Sequence, residues 1–155
     1  MNTRVVLSAI AILLVVIYAV GSGLWVNTGD GWYRSLNQPS WQPPDWIFGI
    51  IWPYNFVVLG ITGFSVTRKL STAWAVGWLG IFAFTVACAL TWAYQFYVPH
   101  NLGVASSALW LVAVITVPLL VITFRASILL GLLLVPYQIW VSIATFLSFT
   151  YRRLN

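Results

Sequence analysis

Charge is what this chain has least of. Only 6% of its 155 residues are Asp, Glu, Lys or Arg, and the acids are Asp30 and Asp45 alone. A soluble domain has about a quarter of its residues charged, so a chain this short would lack the polar sequence to cover its own surface. Cysteine is equally scarce. Cys88 is the single copy; it excludes an internal disulfide and has no partners at metal-ligand spacing. In the middle of an apolar run it reads as a small buried hydrophobe. No apolar segment holds an Asp, Glu, Lys, Arg or His well inside it. That weighs against ion-coupled pumping and voltage sensing, which rely on such groups within the membrane.

What fills the space is hydrophobic sequence, 61% of the chain, with mean hydropathy +0.95. This is the composition of an integral membrane protein. Net charge is +5, but Arg4, Arg34, Arg68, Lys69, Arg125, Arg152 and Arg153 stand singly or in pairs at the ends of apolar runs. They are membrane flanks, and nucleic acid is excluded as a partner. Apolar segments are expected at 4–27, 46–67, 72–98, 103–124 and 126–150. At about 1.5 Å per residue each crosses a core of about 30 Å with some tilt, and helix is the spanning form that satisfies its own backbone in lipid. The expected fold is all-α, a bundle of five transmembrane helices in a single domain, 1–155. The first run continues through Gly21, Ser22 and Gly23 to Trp25, past the length of a signal-peptide core, and is expected to be retained. Arg4, Arg68, Lys69 and Arg125 on one side against Arg34, Arg152 and Arg153 on the other favour a cytoplasmic N-terminus, with the first loop outside.

That first loop, 28–45, is the long connection, and loops on a rigid scaffold are where function concentrates. It carries much of an unusual tryptophan content, ten in the chain. Interfacial belts suit Trp25, Trp74 and Trp110. They suit less well the crowding of Trp32, Tyr33, Trp41, Trp46, Trp52 and Tyr54. Pro43 and Pro44 fix φ and lack an N–H, as suits the start of a helix, and Asp45 is placed to cap it or to face its positive end. Trp52 lies about 9 Å deeper than Trp46 along that helix. A deep indole under a proline-stiffened aromatic lid fits a pocket for a flat apolar ligand; simple packing is the competing reading.

The segment WYRSLNQPSWQPPDWIFGIIW, residues 32–52, closely resembles the signature of the translocator protein/tryptophan-rich sensory protein (TspO/MBR) family. Trp32, Tyr33, Leu36, Pro39, Trp41, Pro43, Pro44, Trp46, Phe48 and Trp52 fall in place, with Gln38 where Lys is usual. In the last helix PYQIWVSIAT, residues 136–145, is similar to the family's second motif. The resemblance covers the whole chain. It implies a five-helix, commonly dimeric membrane protein binding tetrapyrroles such as protoporphyrin IX and haem, and in some members sterols and benzodiazepine-type ligands. It implies that Trp32, Trp41, Trp46 and Trp52, with Tyr137, Trp140 and Ala144, line or roof the cavity. Some members are associated with light-dependent porphyrin breakdown, for which Trp52 and Trp140 match the catalytic positions. A small transporter is a further reading; no inverted repeat supports it. No metal site and no obligatory cofactor are implied.

Departures from the family pattern fall on polar positions. Thr91 and Tyr94 stand where Asn and Trp are usual, Ser148 replaces Asn, Ala108 stands near a usual acid, and Asn55-Phe56 replaces a Leu-Tyr pair. Thr91, Tyr94 and Ser148 are therefore candidate ligand contacts with altered preference. His100 is a possible haem ligand but reads as a surface histidine in a Pro-His-Asn turn. Leu147, Tyr151, Arg152 and Arg153 satisfy a loose cholesterol pattern and equally suit an interfacial anchor. Pro118 and Pro136 are expected to kink their helices. Ala73, Gly77, Gly80, Ala83 and Ala87 form a small-residue stripe that lets another helix approach closely, within the bundle or across a homodimer.

Overall fold

Lipid offers no partner to a backbone N–H or C=O, so each long apolar run closes into a helix. In a computed structural model of the chain the described residues, 2–155, form six helices and no strand. They are α1 (Thr3–Trp25), α2 (Gly31–Ser35), α3 (Asp45–Lys69), α4 (Thr72–Tyr97), α5 (Leu102–Ala126) and α6 (Ile128–Leu154). All but α2 are long and apolar enough to cross a membrane, and the protein is an integral membrane helical bundle.

The ends follow local chemistry. Asn2, Asn101 and Ser127 each turn a side-chain oxygen onto a first-turn N–H of α1, α5 and α6, satisfying donors a helix cannot satisfy itself. Of the two roles expected of Asp45 at the start of α3, capping and facing the positive end, it takes the second. Pro44 occupies the cap position with no side-chain bond, and Asp45 is the first helical residue, where its charge faces the positive helix end. The last helix runs past 150 to Leu154, with Arg152 and Arg153 in its final turn, where cations suit the dipole. Pro118 and Pro136 stand inside α5 and α6, as Pro53 does inside α3, and none interrupts its helix. The loop expected across 28–45 contains α2, opened by Asp30, whose carboxylate accepts the Trp32 N–H at 3.3 Å.

α5 packs most extensively, against α6 and against α4, and α1 lies outermost, burying only Ser8, Ala11 and Tyr18. The centre is filled by Trp78, Phe82, Leu109, Leu119 and Leu134. Trp78 is fully buried, and its indole N–H needs an acceptor there; it donates to Thr123 Oγ1 at 3.1 Å. Glycine sets where helices touch. Away from the loop, α1 meets α3 at Gly63, where a Cβ would stand 2.9 Å from Ala11 Cβ and 3.1 Å from the Trp78 ring. One turn on, Ser8 and Thr67 hydroxyls are hydrogen-bonded at 2.8 Å. Near the loop, α1 meets α4 instead, with a Cβ on Gly21 only 2.8 Å from Leu90.

Gly63→Ala is expected to force these helices apart and to destabilise the bundle by about 1–3 kcal/mol. Reversible unfolding in mixed micelles measures it; wild-type stability would show that Ala11 and Trp78 yield freely.

Candidate functional site

Beneath the first loop the bundle encloses a cavity of about 460 Å³. Its deep end is aromatic. Tyr18 of α1 packs edge-on to Trp52 (6.1 Å, 74°) and Phe56 (5.2 Å, 78°), while Trp52 and Phe56 stack at 5.8 Å. These meet because residues 52 and 56 share a face of α3 at helical spacing. Trp140 of α6 stands edge-on to Phe48 at 5.1 Å, with Ala144, Leu147, Ser148 and Tyr151 above it along the same helix. The α4 wall is Ala89, Trp92, Phe96 and Tyr97. Ala19, Ser22 and Gly23 of α1, with Val26 and Thr28 just beyond its end, complete the side, and Tyr33 of α2 reaches in from the loop.

The loop is fastened over this space at several places. Trp32 stacks on His100 with ring centres 3.7 Å apart and 11° between planes. His100 sits in the α4–α5 turn with φ of 59°, a left-handed conformation in which histidine is enriched among non-glycine residues. Tyr151, buried at the loop end of α6, donates to Gln42 Oε1, with the Tyr33 hydroxyl 3.4 Å away. Asn37 gives its backbone N–H to Asn155 Oδ1 at 2.8 Å and its amide to the Leu154 carbonyl at 3.2 Å. The Asn155 amide returns a bond to the Asn37 carbonyl at 3.3 Å.

The pattern of lid, deep indole and last-helix indole has a counterpart among known proteins. The model of the TspO/MBR family matches residues 9–154. The chain belongs to the TspO/MBR family. It is 31% identical to the "Tryptophan-rich protein TspO" of Chlorobaculum tepidum, over 100% of this chain and 99% of that protein. It is 30% identical to "Protein CrtK" of Rhodobacter capsulatus (96% and 94% covered) and 31% identical to the human "Translocator protein" (88% and 82%).

Against the TspO/MBR motifs, the structure brings Trp52, Trp140, Ala144 and Ser148 together around the cavity. Other candidates stand elsewhere. Trp32 lies behind Tyr33, between His100 and Phe96. Trp41 and Trp46 are outside the lining, 48% and 66% exposed. Thr91 and Tyr94 are on the outward side of α4, because Trp92 and Phe96, one turn apart, take the inward side. Tyr137 is fully buried below Trp140, outside the lining. His100 also lies outside it. Leu147 and Tyr151 of the cholesterol pattern face inward and are buried, leaving Arg152 and Arg153 exposed.

Lining residues that motif reading missed are Tyr18, Trp92 and Phe96; Phe48 of the first motif and Tyr151 of the cholesterol pattern line it too, without having been assigned to the cavity. Tyr18 did carry a signal, as the aromatic residue inside the first apolar run before Trp25.

The chemistry on offer is stacking and neutral hydrogen bonding. Asp45 is the single acid among the lining residues, and the described residues contain no group of His, Cys, Asp or Glu able to hold a metal. Trp92 Nε1, Trp140 Nε1 and Ser148 Oγ, all on lining residues, are buried with no partner in the protein. Buried polar atoms of this kind call for a partner. A second set lies below the lining, with Tyr18 alone of it reaching the cavity. Asn55 is fully buried with both amide atoms unpartnered, one turn from Trp52, and the Tyr18 and Tyr137 hydroxyls are unpartnered as well.

Asn55→Leu removes a buried amide that has no protein partner, and is expected to stabilise the protein by about 1–3 kcal/mol. Thermal unfolding in detergent reads this directly. A loss of stability would mean that the amide is bonded in the folded protein.

Proposed function

We propose that the cavity binds a tetrapyrrole such as protoporphyrin IX or haem, or another flat lipophile such as a sterol or benzodiazepine-type ligand. The role is sensing, sequestration or transport at the membrane. The observation that carries this is the aromatic cavity itself. Its volume of about 460 Å³ lies in the range of small-molecule sites, and its few polar groups suit orientation more than charge recognition. Membership of a family that includes the "Tryptophan-rich sensory protein" of Cereibacter sphaeroides supports the same reading. No histidine lines the cavity, so recognition of a porphyrin rests on its ring faces and edges.

Trp52 and Trp140 both line the space, which keeps light-dependent porphyrin breakdown as a second reading. A porphyrin spectrum that survives illumination of the complex leaves binding as the function.

The protein acts as a homodimer joined through α4. Ala73, Gly77, Gly80, Ala83 and Ala87 all face outward, and Thr91 and Tyr94 continue that face. A Cβ added at Gly77 or Gly80 meets nothing within 4 Å inside the chain. The N-terminus lies on the cytoplasmic side, by the distribution of arginine and lysine.

Protoporphyrin IX is expected to quench tryptophan fluorescence saturably. Trp52→Phe with Trp140→Phe should weaken binding about tenfold, as two indole contacts of about 0.5–1.5 kcal/mol imply. Unsaturable quenching, or unchanged affinity in the double variant, would sink the cavity as the porphyrin site.

Gly77→Leu with Gly80→Leu is expected to yield folded monomer where wild type is dimer, as read by sedimentation in detergent. A dimer that survives both changes places the interface elsewhere.

A further inference from the structure

α1 and α3 are closed on each other at one end and parted at the other. Far from the loop they touch through Gly63 on Ala11 and the Ser8–Thr67 hydrogen bond. Near the loop the same two helices present Gly23 and Gly49. Both are exposed, both line the cavity, and a Cβ at either meets nothing within 4 Å.

The cause lies on the other side of α1. Gly21 lets its backbone settle against Leu90 of α4, and Trp25 packs edge-on to Tyr94 at 5.5 Å. α1 therefore leans onto α4 as it approaches the loop, and parts from α3. The wedge ends where Tyr18 meets Trp52 and Phe56. Neighbouring positions on both helices, Val20, Leu24, Trp46 and Ile50, are exposed apolar side chains, as suits contact with lipid. Pro53 has no N–H to give the Gly49 carbonyl, so α3 also lacks one backbone bond at this level. On the loop side Trp32, Tyr33, Asn37 and Gln42 are held to α4, α6 or the turn between α4 and α5, and the lining reaches the exposed Val26, Thr28 and Asp45 at the loop's two ends.

We infer that the ligand reaches the cavity sideways from the bilayer, through an opening between α1 and α3 framed by Gly23 and Gly49, and not by lifting the loop. This rests on the cavity being the ligand site proposed above. The molecules admitted are flat, apolar and already dissolved in the membrane. The glycines set the width of the opening, because any side chain there would stand in it.

The test pairs a narrowed portal with a locked loop. Gly23→Leu with Gly49→Leu leaves the cavity lining otherwise intact, and leucine suits a helix interior better than glycine. Protoporphyrin IX carried in phosphatidylcholine vesicles is mixed with proteoliposomes, and tryptophan quenching is followed in time. Association and dissociation are both expected to slow about tenfold, since a narrower opening raises the barrier in both directions. Cross-linking Asn37→Cys to Asn155→Cys with a short bismaleimide, in a Cys88→Ala background, should leave both rates unchanged. Rates untouched by the leucines and stopped by the cross-link would overturn the lateral route.

A ligand-free arm separates the two proposals. Ala144→Cys in the Cys88→Ala background is labelled by a membrane-partitioning maleimide, and the leucine pair should slow labelling about tenfold by the same barrier. Slowed labelling with no porphyrin binding would support the portal and overturn the porphyrin reading. Labelling at the wild-type rate would overturn the portal.

Discussion

The way α1 crosses the bundle governs most of what this protein can do. A helix in lipid gains little from burying apolar surface against another helix, so close backbone approach decides where helices meet. α1 has two such approaches, against Gly63 of α3 at one end and through its own Gly21 onto α4 at the other. A straight rod pinned to different partners at its two ends must diverge from the first as it nears the second. The cavity's opening between α1 and α3 is the space that divergence leaves, and Tyr18 stands where the two helices part.

The remaining walls are rigid for a different reason. α5 packs extensively against both α4 and α6, and Trp78 of α4 is satisfied by Thr123 of α5. On that platform Tyr151 acts as an anchor for the loop, taking Gln42 and Tyr33 at once. Between them the chain turns at Ser40 and Trp41, closed by the Gln42 N–H on the Pro39 carbonyl, so a few side-chain contacts hold the whole cover. Aromatic rings do most of this holding because they supply contact area with few rotors to freeze.

Inside, polar atoms without protein partners mark the chemistry. The indole N–H groups of Trp92 and Trp140 and the Ser148 hydroxyl belong to lining residues, while Asn55, Tyr18 and Tyr137 form the deeper set. None carries charge at neutral pH, in keeping with a site surrounded by hydrocarbon, where an unpaired ion would be far costlier than an unpaired dipole. Two departures from the family pattern, Asn55 and Ser148, are among these unpartnered groups, while Thr91 and Tyr94 lie on the outward side of α4.

Hydropathy by itself determined the five spans to within a few residues, because each run must be both long enough for the bilayer and free of charge. The two tryptophan–proline motifs likewise determined the family, and with it Trp52, Trp140, Ala144 and Ser148 as neighbours. Which way each side chain faces was not legible there. A fully apolar helix has no polar face to orient it, so nothing local told Thr91 and Tyr94 to point outward or Trp92 and Phe96 inward. Trp32 and Tyr33 are adjacent in the chain, yet one stacks on His100 and the other reaches the cavity. Those choices, and the parting of α1 from α3, were made by the tertiary structure, since they depend on contacts between residues far apart in sequence and on which glycine meets which helix.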